Sequence, residues 1–174
     1  MATGSFPHQG VYAVRFAVNV FLGSAIVWHT LLYLDVSNPI WAVASMIAAT
    51  DPKVDVAARM FKSRMINVFV GCVVGLIFLS LGRSEIWILP ITLAATVLVS
   101  SYLIRIQTMW RQAPITAALV IASGLTSHSK LSGMELGLRK VEEVLFGCVV
   151  GLLISWLMAR VWPMAEPAEA DEDA

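Results

Sequence analysis

Six apolar stretches of unequal length constrain the fold of this chain more than any other feature of its sequence. A helix needs about 20 apolar residues to cross the hydrocarbon core of a bilayer. The stretches cover approximately residues 12–34, 37–50, 64–81, 86–104, 113–126 and 141–162. The second and fifth stretches have only 14 residues each. The pattern predicts an all-α membrane protein with six transmembrane helices.

The composition agrees with a membrane protein. Hydrophobic residues make up 58% of the 174 residues and charged residues only 14%, whereas soluble domains usually have about 25% charged residues. The chain therefore has too few charges to cover a soluble core. The first stretch is longer than the core of a cleavable signal peptide, so we expect it to remain as the first span.

The charges are unevenly placed. Five of the acidic residues lie in 163–174, which we predict to be a disordered tail. Residues 1–11 form a short N-terminal segment before a membrane domain at 12–162, which carries all twelve Lys and Arg residues. Eight Lys and Arg residues fall on the side of the two termini and four on the other. This bias predicts cytoplasmic termini in a multi-pass protein of the inner or plasma membrane.

The two halves of the chain resemble each other. Residues 71–77 and 147–153 share six of seven residues at an offset of 76. Pro39-Ile-Trp-Ala resembles Pro114-Ile-Thr-Ala at an offset of 75. Since each half has three spans, the halves must have opposite orientations, which is the inverted repeat of many transporters.

The predicted repeats, about 12–81 and 86–162, point to a binding region. In inverted-repeat transporters, short segments interrupted by Pro or Gly at matching positions form the binding site. The two short stretches after Pro39 and Pro114 fit that description.

The third and sixth helices are longer than a bilayer requires. Asp51 with Pro52 predicts the start of one of them, and Ser132 with Glu135 has the spacing of a capping box at the start of the other. We expect each helix to begin at the interface and then to cross the membrane.

Four glycines in these helices form two GxxxG patterns. Small residues let helix backbones approach closely in lipid, where no hydrophobic force drives association. We expect helix packing, within one chain or across a dimer, at Gly71, Gly75, Gly147 and Gly151.

The first span has a polar stripe. Arg15, Asn19 and His29 fall within roughly 80° of one another when successive residues are placed about 100° apart. Lipid penalises such a face, so it is expected to point into the bundle or a cavity. Alternatively, Arg15 extends to one interface and His29 lies near the other, while Asn19 is deeper and harder to explain in this way.

Two pairs of polar residues precede the glycines at equivalent positions. Arg64 and Asn67 precede one pattern, and Lys140 and Glu143 precede the other. A carboxylate about one turn into the membrane is costly unless it is paired. Across a pseudo-twofold axis, Glu143 could meet Arg64 and Lys140 could meet Asn67. These pairs would form either a substrate or proton site, or interfacial ion pairs.

Further candidates lie beside the short stretches. Asp51 and Arg111 are loop charges that are either solvated or the first positions to attract or repel a mobile anion. Trp41 is on the second stretch and is either core packing or a platform for an aromatic ligand. We count both kinds as candidate substrate-binding residues.

Other function classes have no support in the sequence. Nucleophile elbows, phosphate loops, HExxH and paired catalytic carboxylates are all absent, so we expect no enzyme and no cofactor. The two cysteines, Cys72 and Cys148, lack metal-binding spacing. No basic-aromatic pattern predicts nucleic-acid binding.

These residues resemble a known family. Asn38-Pro-Ile-Trp-Ala-Val, then Ala57-Ala-Arg-Met, then Arg64 and the glycines 71 and 75 resemble the fusaric acid resistance family, also called the aromatic acid exporter family. The resemblance covers about residues 36–81 and, more faintly, 113–156. It implies a six-span unit that exports organic or aromatic acid anions with the proton gradient.

The resemblance also has consequences for residues and partners. The residues that match its motif are Trp41, Arg64, Gly71 and Gly75. Plant aluminium-activated malate channels are distantly similar, which implies a dimeric anion pathway. Cysteine replaces the threonine that is common after the first glycine, and this chain has one unit where larger members have two and a soluble domain.

The sequence therefore supports one leading function and two alternatives. The leading function is a transporter of organic anions, embedded in membrane lipids and forming a homodimer. The alternatives are a dimeric anion channel and a non-transporting scaffold or accessory subunit.

Overall fold

The computed structural model describes residues 6–36, 38–81, 87–104, 112–125 and 130–163. Within these ranges the chain forms six helices and no strand. The helices are α1 (Phe6–Tyr33), α2 (Ile40–Ala49), α3 (Val54–Ser80), α4 (Ile88–Ile104), α5 (Ala113–Leu125) and α6 (Lys130–Val161). The all-α prediction is confirmed for the described residues. The predicted acidic tail lies almost wholly outside them.

α3 and α6 do not begin at the residues that the capping motifs predicted. α3 begins at Val54, because the Asp51 carboxylate accepts the Lys53 N–H at 2.7 Å and holds a turn before the helix. Ser132 lies inside α6, which begins earlier, at Lys130. Local capping motifs therefore located these starts only to within a few residues, as is usual for helix ends.

Three helices are long and apolar enough to cross a membrane: Gly10–Tyr33, Val54–Ser80 and Leu131–Val161. The other three are apolar but shorter, with 10 residues in α2, 17 in α4 and 13 in α5. At 1.5 Å per residue, α2 extends about 15 Å, roughly half the thickness of a hydrocarbon core.

Two long helices, α3 and α6, pack antiparallel in the middle of the molecule. Arg64, in the first half of α3, faces Cys148 in the second half of α6. Later in α3, Val68 and Cys72 join a core cluster with Val141 and Val144, which come earlier in α6. The two helices thus cross close to Val68 and Val144.

The short helices α2 and α5 each lie parallel to one of these central helices. Gly147 of α6 is against Ala42 of α2, and Gly71 of α3 is against the first turns of α5 at Ala113 and Thr116. Both short helices therefore begin beside the inner part of a long helix.

The remaining helices cover the outside. α1 packs on α2 and α6, and α4 packs on α5 and α3. One apolar cluster fills the space between α1, α2 and α6; its buried members are Val27, Leu31, Ala42, Met46, Val150, Ile154 and Met158. A smaller cluster of Leu79, Ile88 and Ile121 joins α3, α4 and α5.

Candidate functional site

Polar side chains collect beside the first turn of α5. This central cluster consists of Arg64 and Asn67 of α3, Gln112 just before α5, and Cys148 of α6. Asn67 is 1% exposed and donates through Nδ2 to Gln112 Oε1 at 3.4 Å. Within the described part of the chain, Asn67 Oδ1 and Arg64 Nε are buried without a hydrogen-bond partner. The guanidinium of Arg64 lies beside the Cys148 thiol, which itself points at Ser45 O at 3.8 Å.

The sequence explains why these groups meet. Arg64, Asn67 and Gly71 follow one another at spacings of three and four, so they share a face of α3. The glycine admits the backbone of α5 at Ala113, and this contact brings the α5 N-terminus alongside Asn67. A helix N-terminus carries partial positive charge from its aligned peptide dipoles, and Arg64 adds a full charge. The central cluster is therefore suited to an anion.

The equivalent residues of the second half are arranged differently. Lys140 donates from Nζ to both oxygens of Glu143, at 2.7 and 2.9 Å. The Glu143 side chain is 8% exposed and that of Lys140 is 27% exposed. The pair closes within α6, so the contacts expected from Glu143 to Arg64 and from Lys140 to Asn67 are not the ones formed. Because α3 and α6 cross antiparallel, Arg64 lies beside Cys148, more than one turn beyond Glu143. Lys140 lies on the same face of α6 as Glu143.

A second set of polar groups, the α1 cluster, joins α1 to the end of α2. It comprises Tyr12, Arg15 and Asn19 of α1, Asp51, and Ser155 of α6. Tyr12 Oη donates to Asp51 Oδ1 at 3.0 Å, and the Asp51 N–H donates to Ser155 Oγ at 3.1 Å. Arg15 is 2% exposed and Asn19 is fully buried. Four of their atoms are buried without a hydrogen-bond partner among the described residues: Nε and Nη2 of Arg15, and Oδ1 and Nδ2 of Asn19.

His29 does not join this cluster, which corrects the prediction of one continuous polar stripe. The buried positions of α1 follow a spacing of four residues, namely 15, 19, 23, 27 and 31. Each such step advances the buried face by about 40° around the helix. Near the C-terminal end of α1, the buried face points in a different direction from Arg15, so His29 is exposed.

His29 instead borders an open groove of about 350 Å³ between α1 and α2. The residues that line the groove are Phe21, Ser24, Ala25, Trp28, His29, Ile40 and Val43. Trp41 is 41% exposed on the surface of α2, so its indole is not part of the buried core. Arg111 lies outside the described residues.

The four glycines lie where helices meet, but they face the short helices rather than each other. A Cβ at Gly71 would collide with the carbonyl oxygen of Ala113, and one at Gly147 with that of Ala42. Gly75 faces Val120, and Gly151 faces Met46 O, where a Cβ would lie at 2.6 Å.

Several buried polar residues escaped the sequence reasoning. Tyr12 and Ser155 are single residues whose partners are far away in the chain, so no local signal identified them. Thr92, Thr96 and Ser100 are each fully buried on α4, and Ser100 Oγ has no partner in the described ranges. Their regular spacing of four within an apolar helix was a signal that could have found them.

Metal binding has no support in the described ranges, where no group of three or more His, Cys, Asp and Glu side chains could hold an ion. Both clusters instead present cationic and amide donors inside apolar packing.

The described residues define a class of protein: an all-helical fold with three helices long and apolar enough to cross a membrane, in which guanidinium nitrogens of Arg15 and Arg64 are buried without hydrogen-bond partners among the described residues. Residues 22–154 match the family described as fusaric acid resistance protein-like. This match covers most of the chain, so the chain belongs to that family. Together with the three long apolar helices, the family indicates a membrane protein of transporter or efflux type. No curated protein and no solved structure matches the chain.

Proposed function

We propose that this protein exports organic acid anions, including aromatic ones, and that the central cluster binds their carboxylate. The observation that carries the proposal is that Arg64 Nε and Asn67 Oδ1 are buried beside the N-terminus of α5 without hydrogen-bond partners among the described residues. A buried charge without a partner is costly in an apolar interior. A carboxylate would accept hydrogen bonds from Arg64 and from Asn67 after rotation of its amide.

We further propose that the chain consists of two inverted three-helix repeats whose six helices all enter the membrane. The glycine contacts support this arrangement, since Gly71 faces Ala117 and Gly147 faces Ala42. Gly147 follows Gly71 by 76 residues and Ala117 follows Ala42 by 75, which are the offsets found in the sequence. The short helices α2 and α5 would be the half-helices whose N-termini point at substrate in many transporters.

The remaining parts of the proposal concern the cellular setting. We place both termini in the cytoplasm and the protein in the inner or plasma membrane, on the strength of the Lys and Arg distribution. We also propose a homodimer, on the ground of the family resemblance. In this setting, export runs from the side of the termini to the opposite side.

The test is efflux of benzoate from proteoliposomes, with the Arg64→Ala protein beside the unmodified one. We expect the variant to lose most of its flux while retaining helicity and elution volume. Arg139→Ala is the matched control, since Arg139 is on the exposed surface of α6 and pairs with Glu135 there. Unchanged flux in Arg64→Ala would remove that residue from the pathway.

The same assay separates transport from the scaffold alternative. Unmodified protein that inserts correctly but carries no benzoate, acetate or chloride would reject the transport proposal. Saturation of the rate with benzoate concentration, together with counterflow, would indicate a carrier rather than an open channel.

A further inference from the structure

The α1 cluster also contains buried polar atoms that lack hydrogen-bond partners among the described residues. Arg15 and Asn19 contribute four buried atoms without partners among the described residues, more than the central cluster does. Their place is fixed by neighbours on the same face of α1. Tyr12, before them, bonds to Asp51, while Gly23, after them, lies against Met46. The two side chains therefore face the last turn of α2.

The polar groups nearby form hydrogen bonds with other residues. Asp51 Oδ1 already accepts from Tyr12 and from the Lys53 N–H. Thr50 uses its hydroxyl on Met46 O at 2.7 Å, and Ser155 uses its own on Gly151 O at 2.9 Å. Among the described residues, the chain thus buries Nε and Nη2 of Arg15 and both amide atoms of Asn19 without hydrogen-bond partners, at a cost in stability.

The geometry of the open donors is specific. Nε–H and one N–H of Nη2 project in parallel from one edge of the guanidinium, and that edge is the fork that binds the two oxygens of a carboxylate. In Arg15 both of these nitrogens are the unpartnered ones. Asn19 lies one turn further along the same face and can add a third donor from its amide.

We infer that Arg15 and Asn19 form a second carboxylate-binding site, separate from the central cluster and closed at one end by the Tyr12–Asp51 hydrogen bond. The inference rests on the proposed function in one respect, that organic anions enter this protein. The Arg15 site lies between α1, α2 and α6. The central cluster lies between α3, α5 and α6. An anion would therefore occupy two successive positions on its way through the chain.

Benzoate binding to the purified full chain in detergent tests the inference, with benzamide as the uncharged analogue. Isothermal titration should find two benzoate molecules for each unmodified chain, one for Arg64→Ala, one for Arg15→Met, and none for the double variant. Benzamide should bind to neither site. Arg160→Met is the control, because Arg160 is exposed and stacks on Trp156 at 4.5 Å; it should leave both sites intact.

Thermal unfolding without ligand separates a binding role from a structural one. If Arg15 awaits a ligand, Arg15→Met removes an unpaired buried charge, and the unfolding temperature should stay level or rise. If Arg15 instead holds α1 to α2, the temperature should fall and benzoate stoichiometry should stay at two, which would overturn the inference.

A further variant keeps the test decisive if Arg15→Met does not fold. Arg15→Lys retains the charge and loses the fork, so benzoate affinity at this site should fall about tenfold or more. Equal affinity in folded Arg15→Lys would also overturn the inference. If Arg15→Met abolishes benzoate binding at this site while Arg64→Ala leaves benzoate efflux unchanged, the proposed function is overturned and the Arg15 site stands.

Discussion

The contact between α3 and α5 and the contact between α6 and α2 are built from nearly the same sequence, yet they differ in chemistry. In both, the first glycine of a GxxxG pattern meets a backbone carbonyl of a short helix, at Ala113 in one and at Ala42 in the other. In the first contact, Arg64 and Asn67 each retain one buried atom without a hydrogen-bond partner in the part of the chain that the structure describes. In the second, Lys140 and Glu143 neutralise each other within one helix.

The comparison separates scaffold from site. In both halves a glycine meets a backbone carbonyl of a short helix, where a larger residue would collide, although the two carbonyls are not equivalent: at the offset of 75, Ala42 corresponds to Ala117 and not to Ala113. The charges are free to differ because they lie one to two turns away from the glycine. One half thus has a closed ion pair, while the other has the central cluster, to which we assign the anion in our proposal.

The scaffold side of the comparison gives the largest expected effect. Gly147→Ala and Gly71→Ala place a Cβ on a carbonyl oxygen that cannot turn aside, so each should lower stability by about 1–3 kcal/mol. Thermal unfolding in detergent, followed by tryptophan fluorescence, measures the loss. Gly10→Ala is the control, since a Cβ there meets nothing within 4 Å. Equal behaviour of Gly10→Ala and Gly147→Ala would show that the close contact is unimportant.

The closed ion pair should come next. Lys140→Met leaves the buried carboxylate of Glu143 without its partner, which should cost about 1–3 kcal/mol. Adding Glu143→Gln should restore much of the loss, because the uncompensated charge is then gone. The same unfolding measurement applies to both variants. A double variant no more stable than Lys140→Met would mean that the pair is not the source of the effect.

The open cluster should respond in the opposite way. Asn67→Leu removes a buried oxygen without a partner and one long hydrogen bond to Gln112, so stability should change by less than about 1 kcal/mol. Benzoate efflux from proteoliposomes should nevertheless fall, because a donor to the anion is lost. A strongly destabilised Asn67→Leu with normal flux would assign this residue to the scaffold.

The smallest effect is expected at the surface of α6. Arg139 and Glu135 form a 3.1 Å pair with both side chains about two-thirds exposed, so Arg139→Gln should cost less than about 1 kcal/mol. Raising the salt concentration should abolish even that difference. A loss as large as that of Lys140→Met would remove the distinction between the exposed and the buried pair of this helix.

Much of the fold was predictable because it depends on local sequence. Each apolar stretch contains a helix, and the short second and fifth stretches became the shortest helices. The polar atoms that define the clusters were predictable only in part. Arg15, Asn19, Arg64 and Asn67 stood out because polar residues are rare in apolar helices, whereas His29 fell on the wrong side of α1 and the partners of Glu143 and Asn67 were misassigned. These errors share one cause: an angle around an ideal helix says nothing about how neighbouring helices cross it.

The sequence by itself determined that this is a helical membrane protein, which helices are short, and which glycines allow close contact. These properties follow from length, hydrophobicity and side-chain size, which are local. Only the tertiary structure decided that Gly71 meets α5 and Gly147 meets α2, that Lys140 closes on Glu143, and that Arg15 keeps an open fork. Those outcomes depend on the antiparallel crossing of α3 and α6 and on where α1 lies over α2, and a crossing point is a property of packed surfaces rather than of any one segment.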